Sequence, residues 1–228
     1  TYLKEDKLFN GRTLYAINPH GAETGRNASK SHHLGSKGAP VGLNIQNITR
    51  SDDDVEEEAN ENIKSYMVAD EGFVFGEADY AQAESRDTGF LSGDTVLIDA
   101  VTGPRDFHGV NAAAFFGKPY EEIIKTTINE DGSSTHKTID KPLRQLAKPV
   151  NHGANYNMGE AVLIQTMGLK KIYGAAKLLN LPAGMTAFKI AEHLLAAFEA
   201  TYKVVKGHWY KKVIADVMNT KKLVSPVV

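Results

Sequence analysis

Apolar residues in the last part of the chain recur at helical intervals. Between residues 140 and 228, Leu143, Leu146, Val150, Val162, Leu163, Ile190, Leu194, Leu195 and Phe198 form broken apolar stripes. The spacing predicts helices over about 142–155, 159–168, 171–179, 186–203 and 207–218, with Leu181-Pro182-Ala183-Gly184 as a break. The earlier part is mixed. Arg12 to Ile17 reads as a short strand before the turn Asn18-Pro19-His20-Gly21, so a hairpin is expected near the start. Phe73 to Asp79 reads as a second strand, by its aromatic and β-branched content, with Asp79 at its carboxyl end. Helices are expected over about 81–91 and 106–116, and a turn at Glu130 to Ser134. The pattern as a whole is α+β.

Composition narrows the chemistry. With 228 residues, 42% hydrophobic, the chain can bury one large core or two small ones. It has no apolar run long enough to span a membrane and its polar start is no signal peptide, so a cytoplasmic location, bacterial or viral, is expected. It has no cysteine, which leaves carboxylates and imidazoles as metal ligands and favours hard-ion chemistry with magnesium. The net charge of −2 hides two opposed blocks. Residues 51–100 hold 15 acidic and 2 basic side chains, a net of −13, whereas residues 141–228 hold 13 basic and 4 acidic, a net of +9. A basic block of this kind suits a nucleic-acid backbone, and the Ser, Lys, His and Gly-rich stretch 27–42 suits a loop lying on phosphates. The acidic tract Ser51 to Glu58 would repel DNA and is expected to point into solvent.

Two segments carry the candidate chemistry. Asp79-Tyr80-Ala81-Gln82-Ala83-Glu84-Ser85-Arg86 offers a metal-binding carboxylate where the expected strand gives way to a helix. Further on, Arg144, Lys148, His152 and Tyr156 are spaced by four, so each advances about 40° and together they make a slowly drifting stripe on a helix. Its basic end can grip a triphosphate, and its aromatic end can pack on a sugar or base. Pro149 is expected to kink that helix. Two-metal phosphoryl transfer needs a second carboxylate, and none is evident before Val228.

These segments resemble family A DNA polymerases, the DNA polymerase I family. Thr24-Gly25-Arg26 and Leu43-Asn44-Ile45-Gln46-Asn47-Ile48 look like the family's TGR and NLQNI segments, with a longer spacer between them. Residues 79–86 look like motif A, DYSQIELR, and Leu91-Ser92-Gly93-Asp94 matches the family's next segment. Asp106-Phe107-His108 resembles the DIH segment, and Arg144 to Tyr156 looks like motif B, RxxxKxxxNFGxxYG. Two positions depart from the pattern: His152 stands where Phe or Tyr is usual, and Asn157 where Gly is usual.

The resemblance implies a right-hand polymerase fold, with part of an antiparallel palm over residues 1–118 and mostly helical fingers over 119–228. It implies that Asp79, with the Tyr80 carbonyl, binds two magnesium ions, and that Arg144, Lys148 and His108 contact a deoxynucleoside triphosphate, Lys148 also protonating the leaving pyrophosphate. Glu84 would bar the ribose 2′-hydroxyl, which argues against an RNA polymerase, and Gln82, His152 and Tyr156 would complete the nucleotide site. Arg26, Asn44, Gln46, Asn47 and Asn151 would contact primer-template DNA. Motif C, with the second metal aspartate, is expected after Val228, and no exonuclease or thumb is expected ahead of Thr1. The chain is therefore expected to be a palm-and-fingers fragment, or one part of a split enzyme completed by a second polypeptide carrying motif C. The missing domains, the lengthened spacer and His152 point toward a phage source. The alternative is a catalytically inert DNA- or nucleotide-binding subunit.

Overall fold

The structure is a computed structural model and describes residues 8–19, 21, 27–33, 40–47, 67–76 and 78–222. Two compact units make up the chain, Thr1–Ala78 and Asp79–Val228. That division falls ahead of the 118/119 boundary suggested by the resemblance, so residues 79–118 pack with the helices that come after them.

Strands of the first unit pair locally. β1 (Leu8–Phe9) turns back on β2 (Arg12–Thr13) through Asn10 and Gly11, whose φ values of 50° and 74° are those a tight hairpin favours. β3 (Ala16–Asn18) pairs antiparallel with β4 (Ala28–Lys30), which supplies the expected hairpin, although the strand foreseen over 12–17 is broken at Leu14 and Tyr15. β5 (His32–His33) pairs with β6 (Pro40–Val41). Gly42 then passes so close to Leu14 that a Cβ would fall 1.9 Å from the Leu14 carbonyl oxygen, and its φ is 86°, so only glycine fits. A 3₁₀ turn at Ile45–Asn47 comes next. Arg26 and the acidic tract at 51–58 lie outside the described residues.

The strand expected over Phe73 to Asp79 is absent. Phe73 donates its N–H back to the Asp70 carbonyl in a turn, and Val74 is 91% exposed. Strand-forming side chains make a strand only where a neighbour takes up the backbone hydrogen bonds, and no described residue does so here.

The second unit is a helical body with one hairpin. Its elements are α1 (Ala83–Ser92), α2 (Thr95–Thr102), α3 (Phe107–Phe116), α4 (Tyr120–Ile123), β7 (Ile124–Ile128), β8 (Ser134–Thr138) and α5 (Lys141–Asn155). After them come α6 (Glu160–Met167), α7 (Leu169–Leu178), α8 (Ala187–Thr201), a π-helical turn at Val205–Tyr210 and α9 (Lys211–Thr220). α3, α5 and α8 enclose the core, in which Leu143, Val150, Leu194 and Phe198 are almost wholly buried. Side chains cap four of the helices: Asp94, Asp106, Asp140 and Thr186 each accept a first-turn N–H. Asp94 has a second role, because its other oxygen accepts the Val204 N–H at 3.0 Å and so ties the start of α2 to the end of α8. α5 runs without interruption through Pro149. Among the described residues no helix is long and apolar enough to cross a membrane.

Candidate active site

α1 and α5 bring the two motif segments together. Ser85, on the first turn of α1, is buried and accepts side-chain N–H bonds from Asn151 at 3.1 Å and Asn155 at 2.8 Å, both on α5. Beside this buried junction, Glu84 Oε2 lies 2.9 Å from His152 Nδ1. The His152 ring in turn meets the Tyr156 ring edge-on, with centroids 5.5 Å apart. Asn151 is only 2% exposed and faces Ser85, so in this arrangement it holds two helices together and is not presented to DNA.

The turn before α1 is constrained. Gln82 adopts φ 57° and ψ 34°, a left-handed conformation unusual for a residue with a side chain. Arg86 secures it, with Nε donating to the Ala81 carbonyl at 2.8 Å and the backbone N–H donating to Gln82. Asp79 and Tyr80 precede this turn in no regular element, and Tyr80 is 88% exposed. Among the described residues no group of three or more metal-ligating side chains gathers.

At the other end of α5 a cationic cluster is already organised. Arg144 forms a bidentate pair with Asp106, Nε to Oδ1 at 2.8 Å and Nη2 to Oδ2 at 2.9 Å. Asp106 also caps α3 through Gly109 N–H, and its own N–H donates to the Tyr120 hydroxyl. That hydroxyl bonds to Thr126, which bonds to Nδ1 of His136, so the β7–β8 hairpin is linked to the pair. Burial pushes the Asp106 pKa up, but the Arg144 bond and charge together with the Gly109 N–H outweigh it and hold the carboxyl below its ordinary range. The Asp106 bond raises the pKa of Arg144 above its already high value.

His108 stands next to these groups. Burial, then the charges of Arg144 and Lys148, push its pKa down to about 4 against the opposing pull of Asp106, so the ring is neutral at physiological pH. Its Nδ1 is buried without a hydrogen-bond partner. The charges of both Arg144 and Lys148 are thus felt at the His108 ring.

The C-terminal end of the stripe explains one departure from the family pattern. Tyr156 is the C-cap of α5, 58% exposed, and Asn157 after it has φ 53°. Glycine and asparagine are the residues that enter this left-handed region most readily, so asparagine serves where glycine is usual. The Tyr210 hydroxyl donates to the carbonyls of Asn155 and Ala154 there, and burial raises its pKa to about 12.

In the first unit, Asn44 and Gln46 are tied to β4, Asn44 part-buried and Gln46 exposed. Ser29 donates its hydroxyl to Asn44 and its N–H to Gln46 Oε1, and Gln46 Nε2 donates to the Asn27 carbonyl at 2.8 Å. Both amides fix the 3₁₀ turn against β4, and Asn47 lies in the same turn. Sequence reasoning missed Ser85, Asn155 and Asp106 as organisers. Of these only Asp106 carried a local signal, its position ahead of a helix.

Comparison with known proteins gives the family and the fold. The sequence model of DNA polymerase family A matches residues 10–226. DNA polymerase I of Chloroflexus aurantiacus is 30% identical over 161 residues, covering 71% of this chain and 14% of that protein. The thermostable DNA polymerase I of Thermus aquaticus is 30% identical over 126 residues, 55% of this chain and 13% of that protein. The DNA polymerase of Mycobacterium phage D29 is 31% identical over 107 residues, 47% of this chain and 15% of that protein. In fold the chain is similar to the POL domain of Pol1 from M. smegmatis, solved in complex with DNA primer-template and dNTP. The TM-score is 0.59 at 21% identity, over 97% of this chain and 30% of that one. The chain belongs to DNA polymerase family A.

Proposed function

We propose that this chain forms the nucleotide-binding core of a template-directed DNA polymerase, which adds deoxynucleoside triphosphates to a primer 3′-hydroxyl. The observation that carries the reading is the junction of α1 and α5, where motif A and motif B side chains meet through Ser85, Asn151, Asn155, Glu84 and His152. Along α5 from that junction, Arg144 and Lys148 supply the positive charge that a triphosphate needs, with the neutral imidazole of His108 on α3 beside them. Lys148 is the residue placed to give a proton to departing pyrophosphate, and Tyr156 offers an exposed ring for the nascent base pair. Glu84 stands for the block on a ribose 2′-hydroxyl, with Gln82 shaping the turn below it. Arg26, Asn44, Gln46 and Asn47 stand for the primer-template contacts, with the palm contributed from the N-terminal side and the fingers from the C-terminal side.

Asp79 and the Tyr80 carbonyl are hard oxygen donors of the kind magnesium prefers. They make a partial set among the described residues. When bound, such an ion would stabilise charge on the transferring phosphoryl group. The chain spans 14% and 13% of the Chloroflexus and Thermus polymerases.

Primer extension with magnesium tests the proposal. The chain joined to, or mixed with, a polypeptide bearing the His-Asp-Glu segment is expected to extend a primer, and Asp79→Asn is expected to abolish extension. Extension that survives Asp79→Asn, or template-independent incorporation, would overturn the reading.

A further inference from the structure

Tyr120 lies where α3, α4 and the β7–β8 hairpin meet, and it is buried. At the start of α3 the N-cap is Asp106, and Gly109 is the third residue after it. In a capping box that third position carries a glutamate or glutamine, whose side chain reaches back to the backbone N–H of the cap. Glycine has no such side chain, and none would fit, since a Cβ on Gly109 would stand 2.3 Å from Ile124 and 3.1 Å from Tyr120. The Asp106 N–H donates instead to the Tyr120 hydroxyl at 2.9 Å. Arg105, the residue before the cap, sets its guanidinium over the Tyr120 ring, 5.1 Å from the centroid. The hydroxyl is itself aimed, 3.0 Å from Thr126 Oγ1 on β7, which lies 3.1 Å from His136 Nδ1 on β8.

We infer that Tyr120, aimed by Thr126, is a positioning residue for Arg144: its hydroxyl sets the Asp106 backbone, and the Asp106 carboxylate then holds the guanidinium in the plane in which it meets a triphosphate. The inference rests on the nucleotide-binding reading given above. A guanidinium carries its N–H donors in a rigid planar fork. Asp106 engages Nε and Nη2, at 2.8 Å and 2.9 Å, so one edge of the fork is spent on orientation and the Nη1 edge is the one left for phosphate oxygens. The carboxylate also accepts the Gly109 N–H at 2.7 Å, and the Asp106 carbonyl accepts the Val110 N–H at 2.9 Å. These bonds tie Asp106 forward into α3, whereas the Tyr120 bond ties its N-terminal side to α4 and the hairpin. Without that tie the peptide ahead of the cap is free to rotate. The carboxylate plane and the guanidinium plane tilt with it, and a tilted fork meets phosphate oxygens less squarely.

The test is the ratio of dATP to dAMP affinity, measured by equilibrium binding to the chain. Partial unfolding of a variant lowers both affinities alike and cancels in the ratio, so a merely structural role would not move it. Tyr120→Phe keeps the ring and the Arg105 contact, and is expected to lower the ratio about fivefold, the weight of one hydrogen bond. Arg144→Ala is expected to lower it further. Because Tyr120 acts through Asp106, adding Tyr120→Phe to Asp106→Asn should change the ratio by less than about twofold. Thr126→Val is expected to lower the ratio about twofold, and Thr126→Ser, which keeps the hydroxyl, to leave it at the wild-type value. Equal ratios in the two Thr126 variants overturn the part assigned to the hairpin. A wild-type ratio in Tyr120→Phe beside a lowered one in Arg144→Ala, or an undiminished fall in the Asp106→Asn background, overturns the inference while leaving the nucleotide site standing. A ratio unmoved by Arg144→Ala, or a wild-type chain that binds neither nucleotide, overturns the site reading itself, and this inference with it.

Discussion

Helix α5 carries functional charge at both ends and treats it in opposite ways. Near its start, Arg144 is gripped by both oxygens of Asp106, which also caps α3 and is reached through Tyr120 from the hairpin. Near its end, His152 meets Glu84 through one contact at the surface. The first pair is part of what makes the second unit rigid, whereas the second sits on top of a rigid junction and adds little to it. A site that must hold any of several nucleotides by their common triphosphate gains from a fixed cationic end.

The largest effect is expected from breaking the fixed end. Asp106→Ala removes both halves of the bidentate pair and the α3 cap, and about 3 kcal/mol of stability should be lost, after discounting for partial exposure of the pair. Urea denaturation measures it. Asp106→Asn keeps an acceptor for Gly109 N–H and should lose clearly less. A loss under about 1 kcal/mol for the alanine variant would show that the Arg144 end is no more anchored than the other.

Acid should act at the same end through His108. Its ring is held neutral in the folded chain down to about pH 4, whereas an unfolded imidazole protonates near 6.5. The unfolded state therefore binds the proton first, and stability should fall as pH drops from 6.5 toward 4, by at most about 3 kcal/mol. His108→Gln should flatten this stretch of the profile. The Asp106 carboxyl is shifted below its own ordinary value, so its contribution is present above the usual carboxyl range and is lost only at still lower pH. The two groups thus leave separate signatures in one titration of the unfolding free energy.

The junction between the two ends comes next. Ser85→Ala would leave the buried amide N–H groups of Asn151 and Asn155 without their acceptor and should cost about 1–2 kcal/mol in thermal or urea unfolding. Nothing local announces this junction. Ser85 lies 70 residues from Asn155 in sequence, and a small hydroxyl on a helix reads as an ordinary surface residue until its partners are placed. The helices were legible because each buries one stripe at a period of 3.6, from Leu143 and Val150 on α5 to Leu194 and Phe198 on α8. The β7–β8 hairpin was not, although its turn was, because Lys125, Thr126, His136 and Lys137 give its strands no apolar alternation. The segment from Phe73 failed in the opposite sense: its composition is that of a strand, but a strand is a property of a pair, and no described residue pairs with it. At the site, the order of the motifs singles out Asp79, Glu84, Arg144 and Lys148, whereas the ties of Asp106 to Arg144 and of Ser85 to α5 come from tertiary packing.

The smallest effect should come from the exposed end, and it is the sharpest check on the contrast. His152→Ala removes one contact between side chains that are 63% and 30% exposed, so unfolding should become easier by no more than about 0.5 kcal/mol. Losing the edge contact with Tyr156 does not change this, since that ring is itself largely exposed. Added salt should erase the difference between wild type and variant, because a pair in water is screened within about 10 Å at 0.1 M. The Arg144–Asp106 pair, being half-buried and doubly bonded, should keep most of its effect in the same salt. If His152→Ala instead cost as much as Asp106→Ala, the Glu84–His152 contact would be a structural tie, and the asymmetry of α5 would be lost. If the cost is small, the two ends of the helix have been separated by experiment: the Arg144 end holds the fold, and the His152 end does not.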